Sequence, residues 1–263
     1  MMETNTGPKA LTERMRDATK AEHEKSDKIV NLKLALVVTS PSLYGEALSL
    51  FVPIFAKIED ILNDSKHPQV CKLKPLLEKI KRTPGARADM TYYLTSERRQ
   101  QLEESWNANS GACSEYLKHL EWIEANDPVL IIAYMYHLYA GVLAGGQIIK
   151  RIVKKAMGLK KSGEEGVEIF CLPDETIAKL FFKEYKKIFN EDLDLTEEEE
   201  VRIIKEGNEV FRLNNTLIET IKGTEAWAIA AQKCFNWVAY PIALTVIGLV
   251  VYFGRGYERR AKT

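Results

Sequence analysis

Residues 235–254, FNWVAYPIALTVIGLVVYFG, carry no charged side chain. As a helix rising about 1.5 Å per residue, such a run spans about 30 Å, the hydrocarbon thickness of a bilayer. Trp237 and Tyr240 near one end and Tyr252 near the other stand where interfacial aromatics do. Pro241 and Gly248 are tolerated in a membrane helix. The competing reading is a buried core helix, but the run has no polar face. A transmembrane anchor is therefore expected here. Only RGYERRAKT follows it, so a tail anchor with the preceding domain in the cytosol is the natural orientation. Arg255, Arg259, Arg260 and Lys262 in that tail pull the other way, partly balanced by Lys222 and Lys233 on the opposite flank.

The rest of the chain reads as helices. Apolar residues recur at helical spacing from about Leu11 to Val30 and from Leu43 to Leu62, with Thr12 a possible cap for the first. Shorter helices are expected at Lys74–Lys81, Arg87–Leu94 and Glu97–Trp106, and another at Cys113–Asn126. Pro128 opens a long helix reaching about Met157. Helices near Asp174–Phe189 and Thr196–Ile221 complete the set, the last with a Thr196/Glu199 capping box. Only VEIFCL at 167–172 alternates at period two. The expected fold class is all-α: one multi-helix domain plus one C-terminal transmembrane helix. Its divisions are a disordered N-terminus at 1–9, the helical domain at 10–221, a tether at 222–234, the anchor at 235–254 and a short tail at 255–263.

Lys and Arg total 37 and Asp and Glu total 37, so no net field favours nucleic acid. The cysteines, Cys71, Cys113, Cys171 and Cys234, form no CxxC pair and no zinc spacing with the histidines. The first 15 residues have no apolar stretch of the secretory kind. Reduced thiols in a cytosol-facing domain are expected.

Within the long helix stands Tyr136-His137-Leu138-Tyr139-Ala140-Gly141-Val142-Leu143-Ala144-Gly145-Gly146-Gln147. Each interior glycine costs a helix about 1 kcal/mol relative to alanine. Gly141 and Gly145 are four apart and share a face, which would let a flat ligand approach the backbone, and Gly145-Gly146 would let the helix kink. Close helix–helix packing explains small residues equally. On the first helix Met15, Thr19, His23, Ser26 and Val30 form one stripe. His23 projects from it either as a packed residue or as a neutral imidazole able to ligate iron.

These two segments resemble the heme oxygenase family. Ala18-Thr19-Lys20-Ala21-Glu22-His23 is similar to the family's proximal segment, whose histidine is the axial iron ligand. Gly141-x-Leu143-Ala144-Gly145-Gly146-Gln147, with Asp127-Pro128 and Tyr136 before it, is similar to the distal glycine helix, and Phe211-Arg212-Leu213-Asn214 is a third match. The resemblance spans roughly residues 10–254. It implies heme held between His23 and the Gly141/Gly145 backbone, with Phe211 against it. Electrons would come from NADPH through a cytochrome P450 reductase-type donor. The implied products are biliverdin, carbon monoxide and ferrous iron. Arg16, and Lys186 or Lys187, would hold the heme propionates, with Tyr136 at the heme edge. Membrane lipid is the other implied partner, and the endoplasmic reticulum membrane the implied location.

The chain departs from the family pattern at the distal wall. Val142 stands where an aspartate follows the first glycine, Leu138 where an arginine is usual, and Phe55 where a tyrosine joins the same water network. Losing all three together is coherent, because one buried member left without partners costs about 1–3 kcal/mol. Slow turnover or loose choice of meso carbon is then expected, with a water on the Gly141 and Gly145 carbonyls, or His137, as substitutes. An active heme oxygenase stands against a non-catalytic membrane-anchored heme sensor or buffer, and against a helical scaffold without heme.

Overall fold

The computed structural model describes residues 9–106, 108, 110–171 and 182–221. Among them every regular element is helical. The stretch read as one first helix is two. α1 (Leu11–Ala18) ends where Thr19 leaves helical geometry, and α2 (Lys20–Val37) follows at once. The Thr19 hydroxyl donates to the Met15 carbonyl at 2.8 Å, occupying an acceptor at the break. Thr12 is not the cap: the N-cap is Ala10, with no side-chain bond, and the Thr12 amide donates to Asn190 Oδ1 across the fold at 3.1 Å.

The second stretch also splits, into α3 (Pro41–Ser49) and α4 (Val52–Asp64). Pro53 is the cause. It has no N–H for the Ser49 carbonyl, and its ring crowds that carbonyl. α5 (Pro68–Cys71), α6 (Lys74–Ile80), α7 (Thr83–Tyr93), α8 (Ser96–Trp106) and α9 (Ala112–Asn126) follow.

Pro128–Ala156 is one continuous helical stretch, long and apolar enough to cross a bilayer but mostly buried in the domain, so it is the core helix. It begins as a 3-10 turn and runs through α10 (Ile131–Tyr134), a π turn (Met135–Tyr139) and α11 (Ala140–Ala156). The described part of α12 is 182–187, entering a second π turn at Ile188–Asp192. α13 (Glu197–Glu219) starts with the expected capping box, Glu199 Oε2 accepting from the Thr196 amide at 2.7 Å. The VEIFCL segment yields a 3-10 turn at Glu168–Phe170, not a strand.

The core joins α4, α6, α7, α9, the long helix and α13. Ile54, Ile58, Ile61 and Leu62 of α4 lie fully inside, with Ile131–Met135 of the long helix and Val210, Leu213 and Leu217 of α13. α13 packs along α1, α2, α9 and α10, and so holds the His23 helix and the glycine helix in one frame. The anchor expected at 235–254, its tether and its tail lie outside the described residues.

Candidate functional site

His23 sits in the first turn of α2, just after the Thr19 break. Its ring is exposed, and Nδ1 lies 3.1 Å from Asp27 Oδ2, one turn on. The Asp27 carboxylate, outweighing partial burial, raises the His23 pKa above the ordinary 6.5. A carboxylate on one ring nitrogen fixes the tautomer and leaves Nε2 with the lone pair, the arrangement metal-binding imidazoles use. Sequence reasoning missed Asp27, though an acid four residues beyond a helical histidine was there to be read.

The glycines divide by role. A Cβ built on Gly141 or Gly145 meets nothing within 4 Å, so both face open space. A Cβ on Gly146 would lie 2.7 Å from Phe170 Cδ1, so that glycine serves packing. Gln147 Nε2 donates to the Phe170 carbonyl at 2.7 Å and ties the same segment to the helix. The packing reading thus holds at Gly146, while Gly141 and Gly145 are left facing open space. α11 keeps its helical assignment through Gly145-Gly146, from Ala140 to Ala156. The irregularity lies upstream in the π turn, a feature frequent at functional sites.

Phe211 of α13 connects the two walls. Its ring centroid is 5.6 Å from that of His23 and 5.0 Å from that of His137, one turn before Gly141, and both contacts are edge-on. Burial pushes the His137 pKa down to about 3, with the nearby His23 charge adding to it. His137 is therefore a neutral imidazole and no source of a strong acid proton. Its Nε2 is buried without a partner and directed at Gly207, where a Cβ would come within 2.5 Å. Gly207 was not singled out from sequence; a lone glycine inside a long charged helix was its only signal.

The other expected residues are placed as follows. The Tyr136 hydroxyl donates to the Thr12 carbonyl at 2.7 Å, and its ring stacks on Tyr185. That bond ties the glycine helix to α1. The charge of Arg16 reaches the Tyr136 hydroxyl, and among the described residues its exposed guanidinium meets its neighbour Asp17 at 3.2 Å. Lys186 and Lys187 are exposed, and Lys187 is bonded to Asp192 at 2.6 Å. Among the described residues no hydrogen bond joins Arg16, Lys186 or Lys187 to Tyr136.

The three apolar substitutions are packed, not exposed. Phe55 is buried and edge-on to Tyr139 at 5.5 Å, and Leu138 and Val142 lie against the core. Polar groups under this helix sit deeper. Glu59 Oε1 accepts from the Tyr139 hydroxyl at 3.2 Å and from the amides of Arg82 and Thr83 at 2.5 and 3.1 Å. The buried Arg82 guanidinium donates to the carbonyls of Ile80, Ile169 and Cys171. Glu206 Oε1 meets His119 Nε2 at 2.7 Å and the Tyr134 hydroxyl at 2.9 Å.

A wall of bare backbone and a lone-pair nitrogen, joined through one phenyl ring, suit a flat apolar ligand that carries a metal. Among the described residues no cluster of histidine, cysteine and carboxylates is able to bind a metal ion by itself.

The heme oxygenase family model matches residues 9–220. Heme oxygenase 1 of Nostoc is 28% identical over 228 residues, covering 86% of this chain and 91% of that protein. Human heme oxygenase 1 is 26% identical over 218 residues, covering 82% and 73%. Heme oxygenase 2 of Chlamydomonas reinhardtii, solved without heme, superposes with a TM-score of 0.71 at 25% identity, over 81% of this chain and 98% of that one. Heme oxygenase-2 of Synechocystis, solved with heme and NO, gives 0.73 at 22% identity over 85% and 93%, a likeness of fold alone. Matched across its whole helical body by the family model and by relatives of this kind, the chain belongs to the heme oxygenase family, enzymes that degrade heme.

Proposed function

We propose that this chain cleaves heme to biliverdin, carbon monoxide and ferrous iron, using dioxygen and electrons passed from NADPH by a cytochrome P450 reductase-type donor. The observation that carries the reading is that Phe211 meets both His23, its Nδ1 engaged by Asp27, and His137, one turn before the open backbone of Gly141. Heme, once bound, is both substrate and the place where dioxygen is reduced, and its own meso carbon is the atom oxidised. His23 Nε2 is the axial donor, and Asp27 holds the ring's tautomer. Gly141 and Gly145 leave room for the macrocycle and for a water on their carbonyls. Arg16 holds one propionate, with Tyr136 at the heme edge and its hydroxyl kept on the Thr12 carbonyl. Lys186 supplies the second cation more readily than Lys187, which is paired with Asp192. Phe211 packs beside His23.

Val142, Leu138 and Phe55 give the distal wall no side chain that can hold or deliver a proton. Slow turnover and loose choice of meso carbon follow. The same apolar wall favours a second reading, a non-catalytic heme sensor or buffer. The domain divisions given from the sequence, with a helical domain at 10–221 and a membrane anchor at 235–254, fit a tail-anchored protein of the endoplasmic reticulum facing the cytosol. That part of the proposal is supported by the uncharged run itself.

Single turnover separates the two readings. Purified protein is loaded with hemin, given a reductase and NADPH, and followed at the Soret band. Decay of the band with release of biliverdin and carbon monoxide is expected. A band that persists unchanged would establish the sensor reading instead.

A further inference from the structure

His137 is the residue of the glycine helix that the reaction, as described, leaves unused. Its surroundings are specific. Nε2 is buried without a hydrogen-bond partner, an arrangement that costs stability and that an apolar side chain would avoid. Gly207 of α13 makes room for it: a Cβ there would meet Nε2 at 2.5 Å and Thr19 Cγ2 at 2.9 Å. The imidazole is thus wedged where the glycine helix, the Thr19 break and α13 converge. Its remaining faces meet aromatic rings, Tyr136 at 4.7 Å and Phe211 at 5.0 Å.

His23 presents the opposite situation. Its side chain is 60% exposed, and that of Asp27, its hydrogen-bond partner, is 62% exposed. A hydrogen bond between two exposed side chains is competed by water and restrains a ring weakly. Phe211, by contrast, is 9% exposed and meets the His23 ring edge-on at 5.6 Å, with 67° between the planes. The firm restraint on the His23 ring plane is therefore Phe211. The side chain bracing Phe211 from the glycine helix is His137, edge-on at 63°.

We infer that His137 is a positioning residue for the proximal ligand: wedged against Gly207 and Thr19, it clamps Phe211, and Phe211 sets the rotation of the His23 ring. This rests on the assignment of His23 as axial donor. Ring rotation governs how an imidazole overlaps with a metal to which it is bound, so the device tunes the iron–histidine bond without touching iron. It also gives a reason for a large ring at 137 opposite a glycine at 207, a pairing that a role in simple packing would not require.

The test is resonance Raman spectroscopy of the ferrous, hemin-reconstituted full chain, reading the iron–histidine stretch. His137→Ala is expected to shift that band, and Phe211→Leu to shift it as well. In the double variant the His137→Ala shift adds nothing to that of Phe211→Leu, because one acts through the other. An unchanged band in His137→Ala, or shifts that add, would overturn the inference. Should His137→Ala fail to fold, His137→Leu keeps the volume and loses the ring; it must shift the band or the inference falls. His23→Ala is measured alongside. If it retains the band, the axial assignment is at fault; if it loses the band while the position 137 variants leave it in place, only the positioning role is refuted.

Discussion

On α2, His23 and Asp27 stand exposed at the surface with their polar atoms ready for a partner. On the glycine helix the order is reversed. Gly141 and Gly145 offer backbone alone to open space, Val142 and Leu138 are half-buried against the core, Phe55 of α4 is buried, and the charged groups lie around Glu59 and Arg82. One wall presents a specific polar pair, the other bare backbone left by the subtraction of side chains. The contrast separates two properties that a single protein combines. On the proposed function, capture of heme would fall to the His23 wall and the bare glycines, and control over where oxygen reacts to polar groups that the other wall lacks.

Filling the bare wall is the harshest way to break the comparison. Gly145→Leu or Gly141→Leu places a side chain where nothing now lies within 4 Å, so folding should survive while hemin titration shows a loss of at least about 3 kcal/mol, on the order of a hundredfold. Unfolding of Gly145→Leu with normal hemin affinity would mean that the face is a packing face. Next in size is Glu59→Ala. It removes the acceptor of Tyr139, Arg82 and Thr83 and leaves Arg82 buried, and denaturant unfolding should show a loss of about 3–5 kcal/mol. A loss under 1 kcal/mol would deny that the deep polar belt supports the glycine helix.

Restoring a carboxylate sharpens the distal half of the comparison. Val142→Asp alone should cost about 1–3 kcal/mol, as an acid without partners in a partly buried position. Adding Leu138→Arg and Phe55→Tyr should recover part of that stability and narrow the mixture of biliverdin isomers, read by chromatography. If the isomer mixture is the same with and without the three polar groups, the apolar wall does not govern regiochemistry. Adjacent glycines give a smaller but sharper contrast. Gly145→Ala should stabilise by about 0.5–1 kcal/mol through helix propensity, while Gly146→Ala should destabilise by about 1–3 kcal/mol because Phe170 must move. Equal effects at both would erase the division of roles.

The pH dependence is the mildest effect. His23 ligates only when neutral, and its pKa is raised, first by the Asp27 hydrogen bond. Hemin affinity is therefore complete above that raised pKa and falls as pH drops through it. Asp27→Asn removes the cause, so the midpoint of the affinity profile should move to lower pH; a profile that stays in place would show that Asp27 does not act on His23.

Much of this was legible in the sequence. The helical body follows from apolar spacing, and the α13 start from Thr196 and Glu199. Helix breaks at Thr19 and near Pro53 were missed. At Thr19 the sequence has no glycine or proline, and tertiary packing of a 2%-exposed threonine decides the geometry. Pro53 was visible, but its cost was outweighed in the reading by an unbroken apolar rhythm. The separate fates of Gly145 and Gly146 could not be read from spacing, because they depend on where Phe170, 24 residues on in the chain, returns to the helix. The same holds for His137, whose partnerless nitrogen is defined only by Gly207, far away in sequence.

The central claim is an imidazole–iron bond from position 23 beneath a wall of glycine backbone. It is tested most directly by the absorption and electron paramagnetic resonance spectra of hemin-loaded protein, wild type against His23→Ala, each with and without added imidazole. The account predicts an axial histidine signature in the wild type, its loss in the variant, and its return when free imidazole fills the gap. A His23→Ala protein that keeps the wild-type spectrum without imidazole would contradict it.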